Sequence, residues 1–204
     1  MSRPPSFEGS ANYWIQRYAS GGDSGPGSYT HLATFKAGIL NSFVAQNNIE
    51  SIVEFGCGDG NQLKMAQYPK YLGFDISPLV INRCRDSFKS DEKKSFKLMK
   101  EYQGEKADLA LSLDVIFHLI EDEVYNSYMH KLFVSSNKFV IIYSSNFEDF
   151  KTQVSHVRRR KFTDWIDANL QGWELSEFIP NEYKSNGNFH ETSLSDFYIY
   201  RKSI

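Results

Sequence analysis

The sequence predicts one α/β domain, in which helices cover both faces of a mostly parallel, seven-stranded sheet. Short apolar runs alternate with helical stretches through the middle of the chain, as in parallel strands connected by helices. The last two runs are joined by a polar loop instead of a helix, so they are expected to form an antiparallel hairpin. A length of 204 residues suits one domain with a substantial core. The predicted strands are residues 52–55, 71–76, 95–99, 108–113, 139–143, 173–180 and 194–201.

The N-terminal part is expected to lie outside this alternating pattern. Residues 1–10 are predicted to be a loose tail, and residues 11–18, which include Tyr13 and Arg17, a short helix. Five of the eight residues 21–28 are glycine or proline, which indicates a flexible linker or a mobile lid. The aromatic and basic side chains before this segment favour the lid. The chain therefore divides into an N-terminal helix and Gly-rich lid, 1–27, and a single domain, 28–204.

Hydrophobic periodicity predicts four further helices. One begins near Ser28 or Thr30, either of which suits the N-cap, and ends at residues 47–48, both asparagine. A second follows Ser77, which is a candidate N-cap. The last two helices are predicted at residues 119–133 and around residues 162–170.

Residues 51–60, Ser-Ile-Val-Glu-Phe-Gly-Cys-Gly-Asp-Gly, are the most informative stretch of the chain. A short apolar strand ends here around an acid, Glu54, and glycines follow at positions 56, 58 and 60. Glycine allows φ > 0 and a close approach of the backbone to a ligand. A helix-compatible stretch opens at Asn61, and its N-terminus would add free N–H groups. An ordinary strand–turn–helix is the alternative, which the alternating glycines disfavour.

A second acid, Asp75, ends the next predicted strand. It could serve only as a cap for the helix that follows Ser77. However, a carboxyl group at the C-terminal edge of an α/β strand lies over the crevice where such sheets bind ligands. The position therefore favours a ligand-binding acid.

The glycine loop resembles motif I of the class I S-adenosylmethionine-dependent methyltransferases. Its G-x-G-x-G spacing differs from the G-x-G-x-x-G of dinucleotide-binding proteins, and Asp75 stands where the family has its ribose-binding acid. The resemblance implies a Rossmann-like class I methyltransferase fold, with S-adenosyl-L-methionine as cofactor and both ribose hydroxyls bonded to Asp75. The residues that it places around the cofactor are Tyr13, Arg17, Gly22, Glu54, Gly56, Cys57, Gly58, Gly60, Asp75, Ile76, Leu113 and Asp114.

Acceptor chemistry is expected just after the fourth strand, in residues 110–118. Family members that methylate amino groups of nucleic-acid bases have an Asp/Asn-Pro-Pro-aromatic motif here; Ser-Leu-Asp in its place argues against base N-methylation. His118 is either a structural histidine or a general base, and as a base it predicts activity that rises through a pKa of about 6–7. Asp114 is expected to orient it or to touch the cofactor. The predicted catalytic residues are His118, Asp114 and, as a second candidate for the base, His156.

A third cluster follows the fifth strand, where polar side chains suit a hydroxylated acceptor. The basic run 156–161 has three interpretations: a solvated face, a nucleic-acid patch, or a grip on a small anionic or sugar-phosphate acceptor. A formal net charge of −2 disfavours nucleic acid, and arginine suits a small anion. The predicted substrate-binding residues are Ser145, Asn146, His156, Arg158 and Arg160.

Together with residues 13–18, 21–22 and 195–198, these stretches resemble the small sugar O-methyltransferases associated with surface-glycan glycosyltransferases, including those of large algal viruses. The resemblance implies methyl transfer to a sugar hydroxyl in glycan or nucleotide-sugar biosynthesis, a small-molecule or oligosaccharide acceptor, and a glycosyltransferase as a partner. The alternatives are methylation of another small hydroxylated molecule, and an inactive cofactor-binding scaffold. Arg159 stands where the resemblance leads us to expect a second histidine.

Composition and residue spacing argue against a disulfide-stabilised protein, a membrane-inserted protein and a metal-binding protein. Cys57 and Cys84, the two cysteines, form no disulfide framework, which suits a reducing compartment. No N-terminal apolar segment or membrane-length run is present, so we expect a cytoplasmic protein without membrane insertion. The five histidines lack zinc-site spacing, and residues 121–123 are expected to be a helix first turn, so no metal site is predicted.

Overall fold

The computed structural model describes residues 7–149 and 154–203, so residues 1–6 of the predicted tail lie outside the described residues. Seven strands form one sheet: β1 (Ile52–Phe55), β2 (Tyr71–Asp75), β3 (Lys94–Leu98), β4 (Ala107–Leu113), β5 (Ser136–Ser144), β6 (Trp173–Ile179) and β7 (Asp196–Lys202). Their order is β3-β2-β1-β4-β5-β7-β6. The first five strands pair in parallel, whereas β7 pairs antiparallel with β5 and β6. The predicted sheet and its C-terminal hairpin are confirmed.

Five helices surround this sheet in the described part of the chain. They are α1 (Ser10–Ala19), α2 (Thr30–Gln46), α3 (Pro78–Ser87), α4 (Asp122–Val134) and α5 (Phe162–Asn169). Each overlaps a predicted helix. None of the helices described has the length and apolar character needed to cross a membrane.

Two apolar layers hold the helices against the sheet. On one face, Leu40 and Phe43 of α2 pack with Leu109 and Leu111 of β4. On the other face, Met129 and Leu132 of α4 pack with Ala110 and Val140, which point to the opposite side. Successive residues of a strand face opposite sides, so the near-continuous apolar runs of the central strands fill both layers.

The structure corrects two local predictions, the helix at Asn61 and the N-cap of α2, and confirms Ser77 at the N-cap of α3. The stretch that opens at Asn61 forms only a single 3-10 turn, Gln62–Met65, because the chain reaches Pro69 and then β2 shortly afterwards. The glycine loop is therefore not followed by a long helix. Tyr29, rather than Ser28 or Thr30, occupies the N-cap of α2, and Ser77 occupies the N-cap of α3 without a side-chain capping bond.

Candidate functional site

The polar residues singled out in the sequence lie at the carboxyl ends of parallel strands. Gly56 follows β1, Asp75 ends β2, Asp114 follows β4, and Ser145 follows β5. These four strands are neighbours in the sheet, so their ends meet at one edge. This edge is where open α/β sheets bind ligands.

The glycine loop turns sharply over the end of β2. The N–H groups of Gly56 and Cys57 both donate to the carbonyl of Phe74, at 2.7 and 3.0 Å. Gly58 has φ 55°, in the region that glycine adopts freely. A Cβ atom on Gly58 would lie 2.3 Å from Ser24 Oγ. The bare backbone at Gly58 thus admits the Gly-rich segment 21–28.

Asp75 presents a buried carboxylate with unused acceptor capacity. Its Oδ2 accepts the Gly58 N–H at 3.0 Å, and its Oδ1 accepts the Ser77 N–H at 2.9 Å. The Ile76 N–H bonds the carboxylate as well, and a carboxylate, with about four acceptor positions, can still accept from a ligand. Burial raises the pKa of Asp75 to about 6, against the lowering effect of the backbone N–H groups. Two adjacent hydroxyl groups of a ligand would complete this carboxylate.

Glu54 is a second buried acid close by. Tyr71 OH donates to its Oε2 at 2.6 Å. Burial raises the pKa of Glu54 to about 7, while the hydrogen bond from Tyr71 opposes this rise. The acid before the glycine loop is therefore held in place by a side chain of the neighbouring strand.

These acids line a cavity of about 440 Å³, which we call the glycine-loop cavity. Trp14 and Tyr18 of α1 form part of its wall. Gln62 Oε1 is buried beside it and has no hydrogen-bond partner among the described residues. The predicted cofactor residues in this wall are Glu54, Gly56, Cys57, Gly58, Asp75, Ile76, Leu113 and Asp114, joined by the apolar Met99 and Val115.

A second cavity of about 340 Å³ adjoins the first. We call it the arginine cavity, because Arg17 of α1 and Arg159 lie in its wall. The side chains common to both walls are Trp14, Ser24, Asp114 and His118. The two cavities therefore meet at one of the predicted catalytic acids and at the predicted base.

Asp114 is fixed at this junction by two partners that the sequence did not suggest. Lys36 Nζ lies 2.8 Å from its Oδ2, and Ser195 Oγ donates to its Oδ1 at 2.8 Å. Its backbone has φ 57°, a strained value for a residue with a side chain, and its N–H donates to the Tyr143 carbonyl. Asp114 was expected to orient His118 or to touch the cofactor. These bonds join it to α2, β5 and the loop before β7, and none of them reaches His118.

His118 has a defined tautomer. Its Nδ1 lies 2.9 Å from the carbonyl oxygen of His156. A carbonyl only accepts, so Nδ1 carries the proton and Nε2 keeps its lone pair. Burial lowers the pKa of His118 to about 4. This lowered pKa argues against the predicted rise of activity through a pKa of 6–7, because the imidazole is neutral well below that range.

His156 joins the second cavity to the N-terminal helix. Its ring stacks on Tyr13 with centroids 4.1 Å apart, and on His118 with centroids 5.7 Å apart. Trp14 contacts the edge of His118 at 4.8 Å. Burial and then the charge of Arg17 lower the pKa of His156. The aromatic residues predicted for a lid thus lie directly against both candidate bases.

The two polar residues predicted after β5 have different roles. Ser145 lines the arginine cavity and is 3% exposed, and its hydroxyl has no partner among the described residues. Asn146 instead bonds the backbone N–H and the hydroxyl of Thr163 in the first turn of α5. Ser145 therefore stays a substrate-binding candidate, while Asn146 acts as a helix-capping group.

The structure reverses the prediction for the three consecutive arginines. Arg158 donates to the Ile120 carbonyl and pairs with Asp122. Arg160 donates to the carbonyls of Leu119 and Ile120 and pairs with the same Asp122. Both predicted residues thus fasten the start of α4. Of these three consecutive arginines, Arg159 is the one that lies in the wall of the arginine cavity.

Four predicted cofactor residues lie outside the glycine-loop cavity. Tyr13 and Arg17 line the arginine cavity instead. Gly22 is needed for close packing, since a Cβ there would lie 2.8 Å from the Arg17 carbonyl oxygen. Gly60 packs against α3, where a Cβ would lie 3.0 Å from Cys84 Sγ. Among the described residues, no three His, Cys, Asp or Glu side chains form a group that could hold a metal ion.

The family comparison assigns this geometry to a known class of enzyme. Residues 53–150, which begin in β1 and pass beyond β5, match the family described as methyltransferase domain. The chain is an S-adenosylmethionine-dependent methyltransferase. No curated protein sequence matches it.

Solved methyltransferase structures share its fold. The N-methyltransferase NodS from Bradyrhizobium japonicum WM9, in complex with S-adenosyl-L-homocysteine, superposes with a TM-score of 0.71 at 15% identity, covering 96% of this chain and 99% of that one. Magnesium protoporphyrin IX methyltransferase from Synechocystis PCC 6803 with bound SAH gives 0.64 at 15% identity, covering 100% and 90%. The methyltransferase domain of bacterial CtHen1 gives 0.63 at 19%, covering 83% and 97%. At these identities the likeness establishes the fold of the methyltransferase.

The glycine-loop cavity of the methyltransferase fits the methyl donor. Asp75 offers two acceptor positions for a ribose, and the orphaned Gln62 Oε1 offers one for an N–H group. Ile76, Met99 and Leu113 supply an apolar wall for a flat ring. The residues present therefore match a nucleoside that carries both a diol and an amino group.

Two residues of this methyltransferase escaped the sequence analysis. Lys36 is 1% exposed on the apolar face of α2, four residues from both Leu32 and Leu40. A lysine at helical spacing within an apolar stripe signals a buried ion pair, because an unpaired charge there is costly. Gln62 gave no such signal, because its position depends on the 3-10 turn that replaced the expected helix.

Proposed function

We propose that this methyltransferase transfers a methyl group to a hydroxyl of a sugar, as an O-methyltransferase of glycan or nucleotide-sugar biosynthesis. The observation that supports this most is the polar and aromatic arginine cavity, which meets the glycine-loop cavity at His118 and Asp114. A hydroxylated acceptor in one cavity would face the donor in the other. Positioning of this kind supplies much of the rate of a displacement reaction.

We assign donor binding to the glycine-loop cavity. Asp75 would accept both ribose hydroxyls, and Gln62 would accept an N–H group of the donor. When bound, S-adenosylmethionine supplies an electrophilic methyl group: the acceptor oxygen forms the new C–O bond as the C–S bond breaks, and its electron pair stays on sulfur. Glu54 and Lys36, both in the wall, are held by Tyr71 and Asp114 respectively.

The hydroxyl proton would move to Nε2 of His118. This nitrogen holds a lone pair, because the other ring nitrogen donates to the His156 carbonyl. A base with a pKa of about 4 is weak toward a free hydroxyl, but the proton becomes far more acidic as the oxygen gains its methyl group. Transfer late in the reaction suits such a base.

The acceptor side is suited to a sugar by its mixture of surfaces. Tyr13 and Trp14 offer aromatic faces or edges against the apolar C–H groups of a ring. Ser145 and Ser193 offer hydroxyl groups. Several well-placed polar groups on a partly apolar wall are typical of small-molecule sites.

We also propose that residues 1–27 act as a lid. Asp59 Oδ2 accepts from the Ser24 N–H at 2.9 Å and from Tyr29 OH at 2.8 Å, which ties the Gly-rich segment to the glycine loop. Glu121 accepts from the N–H and hydroxyl of Ser10. Hydrogen exchange with and without S-adenosylhomocysteine tests the lid: residues 10–28 should gain protection on binding, and equal exchange in both states would contradict it.

The function is tested by incubating the protein and isotopically labelled donor with nucleotide sugars and short oligosaccharides, and measuring both S-adenosylhomocysteine release and labelled product. Methylation of a sugar hydroxyl is the expected result. Turnover of a non-sugar hydroxyl compound alone would favour methylation of another small molecule. Donor binding with no turnover on any acceptor would favour an inactive scaffold, for which retention of a glycosyltransferase on the immobilised protein is the further test. A cytoplasmic location is likewise a proposal, to be checked by cell fractionation.

A further inference from the structure

We propose that two hydroxyl groups of the lid, those of Tyr18 and Ser24, bind a ribose hydroxyl of the methyl donor from the lid, while Asp75 binds it from the sheet. We call them the hydroxyl pair. This bond would close the lid when the donor binds. Neither residue was predicted from the sequence. The inference rests on the proposed donor site and lid, and it does not depend on the nature of the acceptor.

The hydroxyl pair lies against the residue whose backbone anchors Asp75. The Gly58 N–H donates to Asp75 Oδ2 at 3.0 Å. A Cβ atom on Gly58 would lie 2.3 Å from Ser24 Oγ and 3.2 Å from Tyr18 OH. Tyr18, Ser24 and Asp75 all line the glycine-loop cavity. The two hydroxyl groups and the carboxylate therefore meet around one glycine in the wall of one cavity.

The hydroxyl pair has one hydrogen more than its own bonds use. Tyr18 OH lies 3.1 Å from Ser24 Oγ, and the Asp59 N–H donates to Ser24 Oγ at 3.0 Å. Each hydroxyl has one hydrogen. One of the two forms the bond within the pair, whichever residue donates it, and no acceptor among the described residues bonds the other. Tyr18 is 3% exposed, and a buried donor without an acceptor is costly. The pair is therefore suited to donate to a ligand oxygen.

A ribose hydroxyl suits both this spare donor and Asp75. Burial and then the charge of Asp75 raise the pKa of Tyr18, so its hydroxyl keeps its proton. An ionised carboxylate only accepts, whereas a hydroxyl both donates and accepts. A ribose hydroxyl that donates to Asp75 can thus accept from the hydroxyl pair. The carboxylate of the donor could also accept from the pair, but the charge of Asp75 would repel it.

The hydroxyl pair belongs to the lid, so its bond to the donor would exist only while the lid is closed. Tyr18 lies in the last turn of α1, and Ser24 lies in the Gly-rich segment. A ligand shifts a conformational equilibrium only through its different contacts with the two states. Asp75 ends a strand of the sheet and is available in both states. The bond from ribose to the hydroxyl pair would therefore be the contact that closes the lid.

The inference is tested with S-adenosylhomocysteine and its 2′-deoxy and 3′-deoxy analogues, each of which lacks one ribose hydroxyl. Calorimetry compares the wild-type protein with Tyr18→Phe/Ser24→Ala, a double variant that removes both hydrogens of the pair. We expect this variant to bind S-adenosylhomocysteine about fivefold more weakly, the factor that one hydrogen bond supplies. At least one deoxy analogue should change by less than about twofold, because the oxygen that the pair binds is already missing. Tyr183→Phe, which lines neither cavity, is the control and should change none of the three affinities.

Hydrogen exchange reports on the lid itself. At saturating ligand, S-adenosylhomocysteine should protect residues 10–28 more than the deoxy analogue whose affinity is unchanged in the double variant. In the double variant, the two ligands should protect these residues equally. A purely structural role of the pair would weaken all three ligands alike, so the dependence on one ribose hydroxyl separates the two roles. Melting curves check folding, and Tyr18→Phe alone, which keeps Ser24 and one hydrogen, should show a smaller effect of the same kind.

Unchanged affinities, or equal weakening of all three ligands in the double variant, would overturn the inference. Equal protection of residues 10–28 by S-adenosylhomocysteine and both deoxy analogues would overturn it as well. These outcomes leave the donor site standing if Asp75→Ala still weakens S-adenosylhomocysteine, and they leave sugar O-methylation untouched. Absence of binding to the wild-type protein would overturn the donor assignment and the inference together. Failure to methylate any sugar, with the hydroxyl dependence intact, would remove the proposed acceptor and retain the inference.

Discussion

The glycine-loop cavity and the arginine cavity share four side chains but are built in different ways. The first combines the ends of three neighbouring strands, at residues 54, 56–58, 75–76 and 113–115, with residues of α1 and α4. The second is drawn largely from α1, the segment 154–159 and the loop 189–195, none of which belongs to the sheet. In the proposed assignment, strand ends supply the ribose-binding part of the donor side, whereas the acceptor side depends largely on segments that meet only in the folded chain.

This difference indicates which part of the site can change acceptor specificity without disturbing the fold. Strand ends are positioned by backbone ladders and two apolar layers, so their geometry survives changes in the surrounding loops. Loops and a terminal helix are less constrained, and in the proposed assignment they carry the contacts that distinguish one acceptor from another. The solved relatives fit this view, since an N-methyltransferase and a magnesium protoporphyrin IX methyltransferase share the fold at 15% identity.

The largest expected effect is at the boundary between the cavities. His118→Ala should lower kcat by about two to four powers of ten if it removes the hydroxyl proton, with donor affinity changed little. His130→Ala, an exposed histidine of α4, is the control. His156→Ala should raise the acceptor KM more than it lowers kcat. If His118→Ala chiefly weakened donor binding, His118 would be assigned to donor binding and not to proton removal.

The pH dependence of kcat follows from the pKa of His118. A lowered pKa means that the neutral, basic form exists above about pH 4. The kcat at saturating donor should therefore be level between about pH 5 and 8. A rise through pH 6–7 that disappears in His118→Ala would show that donor and acceptor restore the ordinary pKa of the imidazole.

The next largest effect is expected on donor affinity alone. Asp75→Ala should weaken S-adenosylmethionine and S-adenosylhomocysteine by about 30-fold or more, because two charge-assisted hydrogen bonds worth about 2 kcal/mol or more together are lost. Asp86→Ala, an exposed acid on the following helix, should have no effect. Calorimetry and a melting curve measure affinity and folding separately. Unchanged affinity in a folded variant would remove Asp75 from the donor site.

Donor affinity should depend on pH between pH 5 and 7, whereas kcat at saturating donor should not. The pKa of Asp75 is raised to about 6, and its ionised form accepts two hydroxyl protons. Lowering the pH from 7 to 5 protonates most of it, so affinity should fall by about tenfold. Glu54, whose pKa is about 7, titrates in the same wall; Glu54→Gln should retain the fall if Asp75 is its source. Affinity that is constant over this range would contradict the assignment.

The sequence predicts the position of the glycine loop and Asp75 at one sheet edge, because these signals are local. Glycines and an acid lie in one ten-residue stretch, and Asp75 lies at the next strand end. Apolar runs fixed the sheet for the same reason. The helix expected at Asn61 failed because the distance to Pro69 and β2 allowed only one turn, and local propensity does not register that limit.

The acceptor side was less predictable because its contacts are not local. Arg158, Arg159 and Arg160 lie in a segment that forms no helix or strand, so no periodicity in the sequence indicates the direction of each side chain. Arg158 and Arg160 turn to residues 119–122 and Arg159 to the cavity, which depends on where residues 119–122 lie in the fold. Lys36 is the counter-example: its helical spacing from Leu32 and Leu40 could have indicated a buried ion pair, although not that Asp114 is the partner.

The smallest expected effect on catalysis is at Arg160, and it tests this corrected assignment most sharply. Its side chain is 10% exposed, and its guanidinium donates to two carbonyls, pairs with Asp122 and lies 4.4 Å from the centre of the Tyr125 ring. Arg160→Ala should therefore lower the free energy of unfolding by about 2 kcal/mol, because the Leu119 carbonyl loses its donor and the packing on Tyr125 is removed. The acceptor KM and the donor affinity should change less than about twofold, within the range of sites that touch no ligand. Denaturant unfolding and steady-state kinetics are measured on the same preparation, with Arg83→Ala as the exposed control.

An acceptor KM raised about tenfold in a protein of unchanged stability would place Arg160 in the acceptor site after all. It would also mean that α1 and the segment 154–161 rearrange when an acceptor binds, so that the two cavities differ in mobility as well as in construction.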